Sequence, residues 1–257
     1  MSKPALTAAL LLLAAFAAPA HAADSSASAL AATMRAARIS EGFEARMNVA
    51  TIKPDGRRLM PFKVAVIGQI GADRQRLLLR GIALDKPHSR SFAAERSADS
   101  AIRAIAYEQN SGITEADSLA PLFDSGLAIW DMFAPWWSWP RQELGGTDHV
   151  GGRECSVVKS FSGSANSAIR EVASCVDTDA KISLRTQLFD RRHALVRTIT
   201  ASRLMRKDSG AMAAKKLSIT EADNTLTEVE VYSGDEQYQI TADTFAMLDS
   251  ARRPARE

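Results

Sequence analysis

The chain has 257 residues, 46% of them hydrophobic, and its 32 Lys+Arg against 30 Asp+Glu give a formal net charge of +2. So even a balance excludes nucleic acid as the partner, because a phosphate-binding surface needs a clear basic excess. Beyond residue 22 no apolar run reaches the roughly 20 residues that a spanning helix needs, so the mature chain is not expected to be integral to a membrane.

Met1 to Ala22 reads as a secretory signal peptide. Lys3 is followed by the apolar run Ala5 to Ala18, then Pro19, then Ala20-His21-Ala22 with small residues at −3 and −1 of a cleavage site. An uncleaved anchor is the competing reading, and the A-x-A end argues against it. Neither cysteine lies near the cleavage site, so no lipid-attachment signal is present. Removal of 22 from 257 residues leaves 235 and takes away one charge, that of Lys3, for a mature balance of +1. That size fits one large domain or two small ones. The implied compartment is oxidising, a bacterial periplasm.

Ser25 to Ile39 follows as an amphipathic helix, with Leu30, Met34 and Ala37 at helical spacing and Asp24 or Ser25 as cap. After Gly42 the period becomes two. Phe43, Ala45, Met47 and Val49 alternate with Glu44, Arg46, Asn48 and Ala50, as in a half-buried strand. Pro54-Asp55-Gly56 is a turn, since proline presets φ and glycine accepts φ > 0. The return strand carries Met60, Phe62, Val64 and Val66, and Arg74 to Ile82 forms the next. Leu84 to Ser100 reads as polar and irregular, and Ala101 to Glu108 as a strand. From Arg141 the strands resume over 141–144, a cysteine hairpin, 182–189, 195–204, 215–222 and 226–232. Asp190 to His193 and Ser233-Gly234-Asp235 sit at turn-like positions, and Thr241 to Leu248 closes with a short helix. From Ser250 the chain reads as a flexible tail.

Roughly ten consecutive strands with hairpin-length links imply one antiparallel meander. At about 4.8 Å per strand the sheet is roughly 48 Å wide, whereas a helix is about 10 Å across. One helix cannot cover such a face, so the sheet must curl. The expected fold is mainly β (α+β): a single strongly curved antiparallel sheet over 23–249. The concave face is either filled by side chains or holds a ligand.

All four tryptophans, Trp130, Trp136, Trp137 and Trp139, fall within ten residues, among Leu122, Phe123, Leu127, Ile129, Met132 and Phe133. Pro121, Pro135 and Pro140 rule out a long helix. Two readings stand open: a plug that completes the core, or a hydrophobic mouth for a lipid or an envelope partner. If extended, Trp136-Trp137 cannot both point inward, so at least one is expected to be exposed or peripheral.

Cys155 and Cys175 are the only cysteines, and the compartment permits a disulfide. Ser162-Gly163-Ser164-Ala165-Asn166-Ser167 reads as a turn between strands 155–161 and 169–177. A hairpin centred on Ala165 puts the two cysteines directly opposite, within bonding range. A free or redox-active thiol pair is the alternative, and it lacks Cys-x-x-Cys spacing.

Catalytic signatures are missing. His88, His149 and His193 are far apart in turn-like contexts, and there is no His-Glu-x-x-His, Gly-x-Ser-x-Gly or phosphate-binding glycine loop. Asp177-Thr178-Asp179 lacks the glycine and terminal glutamate of a calcium loop. No enzyme, metal or cofactor is expected.

The order of segments in the second half resembles the outer-membrane lipoprotein-sorting proteins of the LolA/LolB-like superfamily. The resemblance runs through Leu144-Gly145-Gly146 and Val150-Gly151-Gly152-Arg153-Glu154-Cys155, then Cys175-Val176-Asp177 and Leu188-Phe189-Asp190. It continues through Lys215 to Ile219, Leu226 to Tyr232 and Asp243-Thr244-Phe245, and with the early helix covers most of residues 25–249. It implies an unclosed β-barrel whose open side is covered by helices and whose hydrophobic cavity shields acyl chains. It also implies a periplasmic carrier or binding protein for a lipoprotein, lipid or other apolar ligand. The alternative is an envelope protein-interaction or sensor module on the same fold. Candidate ligand-binding residues are Phe43, Met47, Phe62 and Val64 on the walls, with Trp130, Phe133, Trp136, Trp137 and Trp139 at the mouth. The expected protein is a monomer.

Overall fold

The computed structural model describes residues 20–82, 90–97, 101–108 and 111–251. Residues 1–19 of the expected signal peptide, His88 and the tail from Arg252 lie outside the described residues.

Helix α1 spans Ala20–Ala36. It ends before the expected Ile39 because its last turn tightens: Arg38 N donates to Arg35 O and Ile39 N to Ala36 O, and Ser40 is already extended. Ala27, Ala31 and Met34 form its buried stripe, with Leu30 half-buried beside them.

The strands are β1 (Ser40–Ile52), β2 (Phe62–Ile70), β3 (Arg74–Ile82), β4 (Ser91–Ser97), β5 (Arg103–Glu108) and β6 (Gly112–Ala116). A crossing segment, residues 117–140, holds the short helix α2 (Ile129–Phe133) and a 3₁₀ turn over Pro135–Ser138. Then come β7 (Arg141–Val150), β8 (Arg153–Phe161), β9 (Glu171–Asp177), β10 (Ile182–Phe189), β11 (Leu195–Arg206), β12 (Met212–Glu221) and β13 (Leu226–Asp235). Helix α3 (Ala246–Ser250) follows.

Among the described residues thirteen strands form one antiparallel sheet in the order β6-β5-β4-β3-β2-β1-β13-β12-β11-β10-β9-β8-β7. Two meanders therefore join where β1 pairs with β13, for example through Val49 and Val229. β6 and β7 are the free edges, and the barrel stays unclosed between them. The chain passes from one edge to the other through the crossing segment. In a flat sheet β5 and β12 would stand about 29 Å apart. Instead Ala104 and Ala106 of β5 share one apolar cluster with Ile219 of β12, so the sheet is strongly curved.

The first two hairpins form as expected. The turn at Pro54 is closed by Gly56 N donating to Lys53 O at 2.8 Å, with Gly56 at φ +83°. Met60, however, lies outside β2 and is exposed. Ser91–Ser97 is a strand, not an irregular stretch. Its polar look misleads because Glu95 is satisfied by Arg74 at 2.8 Å and Arg103 at 3.3 Å. Gly112–Ala116 is a further strand, and Ser233-Gly234-Asp235 continues β13 against Arg46, Ala45 and Glu44 instead of turning. The outer face of β2 to β5 is covered by α3, whose Leu248 packs with Phe245 on Ile67, Leu78, Ala93 and Ile105.

Cys155 and Cys175 are disulfide-bonded with Cα atoms 5.3 Å apart. They are not directly opposite. Val157 faces Cys175, so the register differs by two residues from a hairpin centred on Ala165. The turn is centred on Asn166, where Ser162 N donates to Arg170 O across the loop. A two-residue shift keeps side-chain parity, so both sulfurs remain on one face and meet diagonally.

Candidate functional site

The candidate site is the concave face, and the crossing segment occupies it. Leu122, Leu127, Ile129 and Phe133 from this segment pack with Met47, Val49, Val64, Val66, Leu77 and Leu79 of β1 to β3. Phe43 and Phe62 join the cluster as half-buried members. Two glycines make room for the rings. A Cβ at Gly68 would lie 2.4 Å from Phe43, and one at Gly81 would lie 2.5 Å from Phe123. Phe123 meets Phe62 and Phe92 at ring-centroid distances of 5.6 and 5.2 Å. Hydroxyls fasten this half: Gly126 N donates to Thr227 Oγ1 at 2.8 Å, and Thr227 Oγ1 lies 3.3 Å from Thr51 Oγ1.

The tryptophans form a second cluster. Trp130, Trp136 and Trp137 are buried with Ala31 and Met34 of α1 and with Val158, Val172, Val176 and Leu188 of β8 to β10. Trp139 packs on its edge. Trp130 stands 5.2 Å from Trp136 and 6.1 Å from Trp139, centroid to centroid. Neither Trp136 nor Trp137 is at the surface: both are only 4% exposed. The pair sits in a 3₁₀ turn, where successive side chains diverge by about 120° instead of 180°. Both then fit between α1 on one side and the sheet on the other. α1 therefore lies chiefly over the tryptophans, the edge strand β7 and its neighbour β8.

The structure brings Phe43, Met47, Phe62, Val64 and Phe133 into the first cluster and the four tryptophans into the second, and sequence reasoning overlooked the polar groups that fasten them. Asp131 of α2 pairs with Arg197 of β11, both nearly buried, and Arg197 also lies 3.7 Å from Glu221 of β12. Burial outweighs the Arg197 charge and raises the Asp131 carboxyl to about 6. Among the described residues Asp131 Oδ1 and Arg197 Nε have no hydrogen-bond partner. One signal was available: Asp131 is the sole charged side chain between Ser125 and Pro140. Gln142 of β7 fastens the other end of the segment. Its amide donates to Trp136 O at 3.0 Å and Trp139 O at 3.1 Å, and it accepts from Ser160 at 2.6 Å. Arg38 donates to Met132 O. Burial, together with the charge of Arg96, lowers Arg38 to about 10.

No family model matches the sequence, and no curated protein matches it. Solved structures do. A domain named for outer membrane lipoprotein sorting, from Vibrio parahaemolyticus, superposes with a TM-score of 0.78 at 14% identity, covering 89% of this chain and 100% of that one. The fold is LolA-like. A DUF1329 family protein from Desulfovibrio piger gives 0.76 at 14% identity, over 87% of this chain and 97% of that one. A LolA superfamily protein from Nitrosomonas europaea gives 0.65 at 12% identity, over 85% and 96%. In this LolA-like fold the crossing segment takes the place where a ligand cavity was expected.

Proposed function

We propose that the chain is a periplasmic carrier or binding protein for a lipidated or otherwise apolar ligand, and that residues 117–139 are its displaceable plug. One observation carries this reading: the apolar concavity is filled by a connection between two sheet edges, not by the sheet itself. Such a segment can move without breaking a single strand pair. Its displacement would uncover Phe43, Met47, Phe62 and Val64 as acyl-chain contacts, with Phe133 carried on the plug itself. Trp130, Trp136, Trp137 and Trp139 would then line the mouth. Affinity would come from apolar burial, roughly 0.8 kcal/mol per CH₂, and needs no catalysis or cofactor. The LolA-like fold and the disulfide support an envelope location, as does the reading of Met1 to Ala22 as a signal peptide. Among the described residues no helix is long and apolar enough to cross a membrane.

The test uses the tryptophans. All four lie in the plug, so their emission reports on this segment alone. Titration of the full mature chain with a palmitoylated lipopeptide should give a saturable spectral shift, and protein extracted from periplasm should carry lipid. Absence of both would overturn the carrier reading. One observation favours the second reading, an envelope protein-interaction module: the concavity is already filled, while Tyr107 and Ile113 pair on the free β6 edge and are 39% and 40% exposed. That module should bind a protein strand without any change in tryptophan emission.

A further inference from the structure

Two kinds of polar contact tie residues 129–139 of the plug to the rest of the molecule. One kind ends on backbone carbonyls: Arg38 donates to Met132 O, Arg35 to Trp137 O, and Gln142 to Trp136 O and Trp139 O. A carbonyl acceptor does not titrate. The other kind is the Asp131–Arg197 pair, and among the described residues Asp131 is the sole side chain of 129–139 that makes a hydrogen bond or ion pair. The charges there do not balance. Arg197 of β11 also faces Glu221 of β12 across the ladder, at 3.7 Å. Two carboxylates thus share one guanidinium, and the Asp131 and Arg197 side chains are only 8% and 6% exposed. Directly after α2, Ala134 is held at φ 45° and ψ 57°, a left-handed conformation that its methyl group strains. This residue joins the latched helix to the 3₁₀ turn that carries Trp136 and Trp137.

One net negative charge in a site largely shut off from water is unfavourable, and a single proton removes it. We propose that Asp131, Arg197 and Glu221 form a proton-operated latch, which holds the tryptophan end of the plug shut when protonated and lets it swing about Ala134 when the proton leaves. The inference rests on the reading of residues 117–139 as a displaceable plug and names what regulates it. The sign follows from the site. Burial, with the Glu221 charge adding to it and Arg197 opposing, raises the Asp131 carboxyl to about 6 in the closed state. Opening to water returns it to about 4, so the closed state holds the proton more tightly. Acid favours closure, and the opening constant should rise about tenfold between pH 5 and pH 7.5.

Hydrogen exchange of the full mature chain, read by mass spectrometry and corrected for the intrinsic pH dependence of exchange, measures that constant without any ligand. The amides of Trp130 and Ala134, bonded to Ser118 O and Trp130 O, report on the segment. Their protection should fall about tenfold from pH 5 to pH 7.5, while the amides of β1 keep theirs. Asp131→Asn should abolish the fall. That change strands a buried Arg197, so Glu221→Gln supplies a variant at a side chain 24% exposed; it should keep the fold and shrink the fall. His149→Gln and His193→Gln, which remove groups that titrate in the same window, should leave it as in the wild type. Equal protection at both pH values in the wild type, or a full fall in Asp131→Asn or Glu221→Gln, would overturn the latch and leave the carrier reading intact. A latch that behaves as expected in a chain that binds no lipopeptide would stand, and the carrier reading would then fall by itself.

Discussion

The two apolar clusters inside this sheet are built from one crossing segment and differ in how they hold it. The first closes on Leu122, Leu127, Ile129 and Phe133 with aliphatic residues from β1 to β5, β12 and β13, and its polar ties are neutral hydroxyls. The second closes on three buried indoles and adds Gln142, Ser160 and the Asp131–Arg197 pair. Apolar burial is non-directional and roughly proportional to area. A buried ion pair is directional, and its desolvation cost offsets much of its Coulomb gain. Hence one end of the segment is anchored by contact area, and the other by a few groups whose state can change. If the plug opens, it should open from the tryptophan end.

The strongest test of that asymmetry is Phe133→Ala. Phe133 is 1% exposed, and its loss leaves a large cavity in the first cluster. We expect a destabilisation of about 3–5 kcal/mol in urea unfolding, with the same value at pH 4 and pH 7. A cost near zero would show that the first cluster collapses easily and is not the anchor.

Asp131 probes the second cluster through pH. Its folded carboxyl is raised to about 6, above the ordinary unfolded value of about 3.9. The folded state therefore holds the proton more tightly. The stability from this group is fully present below pH 4 and is lost as pH rises through 6, a change of roughly 3 kcal/mol. Asp131→Asn should flatten that arm, measured by urea midpoints from pH 4 to 7. A wild-type profile already flat over this window would mean that Arg197 keeps the carboxylate charged, and the contrast between the clusters would vanish.

Much of this frame is legible in the sequence, because period-two alternation fixes which side of a strand is apolar. Phe43 to Val49 and Phe62 to Val66 are read correctly for that reason. Ser91–Ser97 is not, since a strand buried on both faces does not alternate, and Glu95 looks solvated until Arg74 and Arg103 are known to reach it. The disulfide was expected at the right pair with the wrong register, because parity survives a two-residue slip that turn composition cannot detect. The Trp136-Trp137 pair was misjudged by assuming extended backbone. Arg197, the partner of Asp131, lies 66 residues away, and nothing local marks it.

The disulfide belongs to the second half only and fastens β8 to β9 on the face away from Val158 and Val176. In the chain-entropy model a loop closed over 20 residues stabilises by roughly 3 kcal/mol at most. Reduction should lower the unfolding midpoint by up to that amount while tryptophan emission of the folded protein stays unchanged. A shifted emission on reduction would mean that the staple, and not the polar anchors, sets the seating of the indoles.

Trp136→Phe carries the smallest expected effect and sharpens the comparison most finely. The indole Nε1 of Trp136 is buried without a hydrogen-bond partner among the described residues. An unmade bond of this kind costs about 1–3 kcal/mol, which phenylalanine removes. Against this stands lost contact: the smaller ring gives up packing on Trp130 and Trp137, whose centroids lie 5.2 and 6.1 Å away. The two effects oppose each other and are of similar size, so the net change should stay within about 1 kcal/mol. The backbone carbonyl of Trp136 still accepts from Gln142, so the anchor at that end survives the substitution. A loss well above 3 kcal/mol would show that the indole N–H is bonded after all, and that the second cluster is held by its rings as firmly as the first is held by Phe133.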